Sequence, residues 1–165
     1  MQVNFIRFVG LVAVIAYGPF ANAGSLKEDD FNKFKVGEAA QFSNLSSFEA
    51  QTVCLLQPYQ DRLPSKELVA VRVNKYLAAS KYSSDEGHFA FVLIGKEAIE
   101  IASFKRSKNL DVLSKHEISS SIEEILPKDF VPHDCASGQS AVFMKVGLQA
   151  RTYVVLGELR LVLNH

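Results

Sequence analysis

The sequence predicts an α+β domain: a mainly antiparallel sheet of five or six strands with one or two helices, stapled by one disulfide. Three observations lead there. Five runs, at 52–57, 88–95, 97–105, 140–146 and 151–163, are short, apolar and rich in β-branched or aromatic residues. Short turns join most of them, without the strand–helix alternation of a doubly wound parallel fold. Two cysteines, Cys54 and Cys135, form an even, minimal pair, which in an oxidising compartment reads as one bridge.

Taken in order, the chain begins "MQVNFIRFVGLVAVIAYGPFANA", with Arg7, an apolar run from Phe8 to Tyr17 and small residues ending at Ala23. That pattern is a secretory signal with cleavage expected after Ala23. The apolar run falls short of the ~20 residues a membrane span needs. The expected mature protein, 24–165, is one domain of 142 residues, enough to enclose a single core. Its 17 basic residues balance 18 acidic ones, so no general electrostatic pull draws it to nucleic acid or to an anionic surface. Neither nucleic-acid binding nor membrane insertion after signal removal is expected.

Residues 24–51 are polar with scattered phenylalanines and read as an arm laid over the domain, not as a core element. "TVCLLQ" is a strand that carries Cys54 and stops at Pro58. From Ser65 to Ser80, Val69, Val73, Tyr76 and Leu77 share a helical face, although "VAVRV" also alternates as a strand would; a helix is expected. "HFAFVLIG" and "EAIEIASFK" make a hairpin turning at Gly95. "SSSIEEILP" places Ser120 three residues before Glu123, a capping box opening a short helix ended by Pro127. "SAVFMKV" and "RTYVVLGELRLVL" form a second hairpin, with a turn expected at Gly147 and a bulge at Gly157.

Chemistry-bearing residues gather in three places. In "FVPHDCASGQS", His133, Asp134 and Cys135 stand together. A thiol nucleophile needs a free thiolate beside a base, and Cys54 as a bridging partner removes it. Zinc accepts His, Asp and Cys, but no H-x-x-x-H, H-E-x-x-H or C-x-x-C spacing is present, and Gly138-Gln139-Ser140-Ala141-Val142 lacks the second glycine of a nucleophile elbow. In "SSDEGHF", Asp85, Glu86 and His88 could serve as acid and base, though polar residues with a glycine before a strand are also the makings of a turn. In "FKRSKN", Lys105, Arg106 and Lys108 could meet an acidic partner or guard a sheet edge.

No cofactor or metal is expected. The combined expectation is a small periplasmic or secreted binding protein, an inhibitor or immunity-type protein that neutralises a protein partner such as an envelope-targeting toxin or hydrolase. His133, Asp134, Asp85, Glu86, His88, Lys105, Arg106 and Lys108 are its candidate contacts. The alternatives are a small hydrolase or metal-dependent enzyme using His88 and His133, or a structural subunit of an envelope assembly.

Overall fold

A computed structural model describes residues 26–160; the expected signal segment lies outside them. The elements in chain order are α1 (Glu28–Phe31), β1 (Ala39–Gln41), α2 (Phe42–Leu45), β2 (Thr52–Leu56), α3 (Ala70–Ala79), β3 (His88–Ile94), β4 (Ile99–Lys105) and β5 (Asp111–Leu113). A 3-10 turn (Lys115–Glu117) follows, then α4 (Ser120–Glu123), β6 (Phe130–Pro132), β7 (Cys135–Ser137), β8 (Ala141–Leu148) and β9 (Arg151–Leu159). The fold is α+β and mainly antiparallel, with a Cys54–Cys135 disulfide. All five predicted runs contain strands, but the strands divide between two sheets. One orders β4-β3-β2-β7; the other orders β1-β8-β9-β5, with β6 also paired to β9. Among the described residues, only the β5–β9 ladder is parallel.

The sheets pack face to face, as alternating apolar side chains of two pleated surfaces require. Between them lie Val53, Leu55, Phe89, Phe91, Leu93 and Phe104 from one sheet and Ala141, Phe143, Val154 and Leu156 from the other. Phe91 and Phe143 meet edge-on across the gap, with ring centroids 4.8 Å apart. The central strands are buried on both faces. Outside the four-stranded sheet, Ala70, Val73 and Leu77 of α3 cover Cys54, Leu56, Ala90, Val92 and Ile94. Outside the other, Ile122, Leu126 and Phe130 cover Val142, Met144 and Val155. This double burial explains why "HFAFVLIG" reads as continuously apolar.

The expectation for residues 24–51 is corrected. Leu26, Phe31, Phe34, Phe42 and Leu45 are buried in the central core, and β1 extends a sheet. Phe31 stands 5.4 Å from the rings of both Phe104 and Phe143, so the segment closes one side of the sandwich. Lys145 holds it there: its buried ammonium donates to the carbonyls of Phe31 at 2.6 Å and Phe34 at 3.0 Å, beside the Phe34 ring. Burial lowers the pKa of that ammonium.

Other local differences have identifiable causes. The predicted helix from Ser65 is helical only over Ala70–Ala79, preceded by turns that follow Pro64. The capping box sits not at Ser120 but at Ser114, where Glu117 accepts from the Ser114 amide at 2.8 Å; α4 starts from Ser119 instead. Gly157 forms no bulge, since it pairs in register with both Val142 and Pro132. A side chain there would strike the Val131 carbonyl and the Phe130 ring.

The last hairpin does not turn at Gly147. Its two-residue loop is Gln149-Ala150, with φ of 47° and 62°, the left-handed pair of a type I′ turn that normally calls for Asn-Gly. Neither residue gains anything from that conformation. Ala150→Gly is therefore expected to stabilise the fold by about 0.5–1 kcal/mol, raising Tm by about 2–4 °C. Calorimetry giving an unchanged or lower Tm would contradict this account of the turn.

Candidate functional site

At one end of the sandwich β2 finishes, β3 begins and β4 finishes, so the loops beyond them share a rim. The structure brings two of the three sequence-predicted groups together there. His88 pairs in register with Lys105, and the Arg106 amide donates to the Gly87 carbonyl at 2.7 Å. The "SSDEGHF" turn and the "FKRSKN" segment are thus one surface. Lys105 and Lys108 are exposed on it, and the Lys108 carbonyl accepts from the Thr152 amide at 2.8 Å.

The rim is built on a carboxylate that sequence reasoning passed over. Asp111 is fully buried at the start of β5. It accepts from Arg106 Nε at 2.7 Å and Nη2 at 3.0 Å, a two-pronged pair, and from Arg151 Nη1 at 2.7 Å and the Val112 amide at 2.9 Å. A buried carboxylate is tolerated only when so fully satisfied. Arg106 then reaches on, its Nη1 donating to the Glu86 carbonyl at 3.1 Å. One guanidinium therefore links the β2/β3/β4 rim to the opposite sheet. The available signal for Asp111 was a lone acid inside the apolar run "LDVL"; Arg151 carried no comparable signal.

Above this base, Asp85 Oδ1 accepts the Gly87 amide at 2.8 Å and lies 2.7 Å from His88 Nδ1. The His88 contact holds the Asp85 carboxyl below the usual aspartate range. Glu86 accepts from the Tyr59 hydroxyl at 3.1 Å, which raises the pKa of that phenol. Tyr59 is 70% exposed with φ of 62°. An exposed aromatic held in the left-handed region costs backbone energy and gains no burial.

His133 and Asp134 lie elsewhere. They form the corner where the chain leaves β6 in one sheet and enters β7 in the other. The order β3-β2-β7 sets that edge two strands from β3, about 10 Å by sheet geometry. Asp134 is occupied structurally: Oδ1 accepts the Lys115 amide at 3.0 Å, and Oδ2 lies 3.7 Å from His116 Nε2. The His133 amide donates to the Leu156 carbonyl at 2.9 Å. Nearby, Glu158 clasps β7 to β9 by accepting from the Ser140 hydroxyl at 2.8 Å and the Ser137 amide at 2.9 Å. Burial pushes the Glu158 carboxyl up, but these two donors and His133 outweigh it and hold the group below the ordinary glutamate value. Ser140 thus faces a carboxylate rather than a histidine base.

At the opposite end, a cleft of about 850 Å³ lies between residues 42–51, the β3–β4 turn and Gly138–Gln139. Its lining supplies hydroxyls, amides, the rings of Phe42 and Phe48 and the charged residues Glu49, Lys96 and Glu97, but none of the predicted contact residues. Among the described residues, no group of three or more His, Cys, Asp or Glu side chains is arranged to hold a metal ion. No family model, curated protein or solved structure matches the chain.

Proposed function

We propose that the protein is a small exported binding protein, periplasmic or secreted, that neutralises a protein partner in the manner of an inhibitor or immunity protein through the Tyr59–Asp85–Glu86–His88–Arg106 rim. The observation that carries this reading is the Arg106–Asp111–Arg151 base. It fixes an exposed tyrosine and an acidic turn in one geometry, and a surface already ordered loses less entropy on binding. Tyrosine is also a residue on which binding energy concentrates.

Envelope or culture-fluid extract passed over the immobilised chain is expected to yield a stoichiometric partner. Tyr59→Ala, which removes an exposed side chain, should weaken that complex by about 30-fold or more and leave the melting temperature within about 2 °C. A partner retained equally by Tyr59→Ala and by a Glu86→Lys variant would move the interface off the rim. Recovery of no stoichiometric partner would remove the binding reading.

A further inference from the structure

The outward side of α3 and of the turn before it carries the two most exposed large apolar side chains among the described residues. Leu68 is 103% exposed and Val71 85%. Leu68 lies in the turn that leads into α3 and Val71 in the first turn of the helix, where it neighbours Lys75 in the i, i+4 pattern. Ala70, Val73 and Leu77 face the core, while Leu68, Val71, Arg72 and Lys75 are exposed, with Arg72 Nη2 donating to the Lys96 carbonyl at 3.1 Å. The stretch 68–81, "LVAVRVNKYLAASK", holds three cations, Arg72, Lys75 and Lys81, and no acidic residue. In a chain whose charges balance overall, this is a local segregation. It joins protruding apolar side chains to two cations, Arg72 and Lys75, with Glu97 beside them across the groove.

We propose that this face of α3 docks the protein on an anionic lipid surface. The proposal is independent of the rim and its partner. Apolar side chains that project from a helix flanked by cations enter the headgroup boundary while the cations meet lipid phosphates. Projection distinguishes this occupant from an acidic polypeptide, since a lipid interface receives a protruding side chain anywhere along it, whereas a protein must supply a matching hollow. A polypeptide would lie in the shallow groove that Arg72, Lys75, Tyr76, Ala79, Glu97 and Ile99 line, where Glu97 offsets one of the two cations and Arg72 is already engaged with the Lys96 carbonyl. No helix among the described residues is long and apolar enough to cross a membrane, so the contact is peripheral.

The test is co-sedimentation of the purified chain with vesicles of equimolar phosphatidylglycerol and phosphatidylcholine, and with phosphatidylcholine alone. Parent and variants share one N-terminus, so any contribution of residues 1–25 is common to all. The parent is expected to bind the anionic vesicles and to be released near 1 M salt, where the Debye length falls to about 3 Å. Each cation removed in Arg72→Gln and Lys75→Gln should weaken partitioning about fivefold. Leu68→Ser with Val71→Ser should abolish it, while Arg72→Lys keeps it. Binding unchanged by these variants, or equal on phosphatidylcholine, would overturn the proposal. So would loss of binding to polyglutamate in the α3 variants of a chain that ignores the vesicles, an outcome that would make an acidic polypeptide the occupant.

Discussion

Replacing Cys54 and Cys135 together by alanine is expected to lower the unfolding free energy by about 4–5 kcal/mol. The bridge spans 81 positions of sequence, and without it the unfolded chain regains the freedom that closing so long a loop had removed. β2 and β7 place the two residues directly opposite each other in their ladder, with Cα atoms 4.0 Å apart. Two readouts separate this mechanism from simple loss of packing. Urea unfolding should show a lower midpoint together with a steeper denaturant dependence, since an uncrosslinked unfolded state exposes more surface. A loss below about 1 kcal/mol with an unchanged slope would mean that the bridge constrains little in the unfolded chain. As this loss is a large part of the ~5–15 kcal/mol typical of a domain, the reduced protein should be marginal near body temperature.

Removing the Asp111 carboxylate is the second large effect. Asp111→Ala leaves two guanidinium groups facing each other over an apolar floor, and breaking a buried pair on one side costs about 3–5 kcal/mol. Arg106 and Arg151 keep 32% and 43% of their side chains exposed. Water can relieve part of that penalty, so about 2–4 kcal/mol is expected. The informative comparison is Asp111→Leu combined with Arg106→Met and Arg151→Met. Taking out all three charges should destabilise less than taking out the acid alone, because no unpaired charge remains. Protease nicking in residues 57–62 or 83–87 should increase in Asp111→Ala, since Arg106 would lose its anchor while still bonded to the Glu86 carbonyl. If the single variant melts like the parent, Asp111 is not the base of the rim.

How much could be read in advance followed from what each signal depends on. Long runs such as "HFAFVLIG" and "TYVVLGEL" are legible because burial on both faces makes them apolar whatever their partners. The pair Cys54 and Cys135 is legible because two cysteines, if bridged, have one arrangement. The three-residue strands β1, β5, β6 and β7 carry no periodicity of their own; they exist because a longer strand offers them unpaired amides and carbonyls. Residues 24–51 misread for a similar reason. Phe31 and Phe34 stand three apart, a helical spacing too short to signal burial by itself, and the Lys145 that holds their carbonyls is more than 100 positions away. In the candidate site, Asp85, Glu86, His88 and Arg106 were visible as polar residues beside strands. Asp111, Arg151 and the positive φ of Tyr59 become meaningful only once β5 lies beside β9 and the rim closes over them.

The position of β9 in its sheet has a consequence for the order of events during synthesis. Three strands, β5, β6 and β8, pair directly onto it, and β9 follows all of them along the chain. Until residues 151–159 have been made, β5 and β6 have no ladder to join. Because β6 leads directly into the corner before β7, the edge of the other sheet is also left without its anchor. Contacts this distant in sequence close late. A nascent chain short of β9 can therefore pair β4, β3, β2 and β7, but the five-stranded sheet stays incomplete and the inner face that carries Val53, Leu55 and Phe91 lacks its full cover.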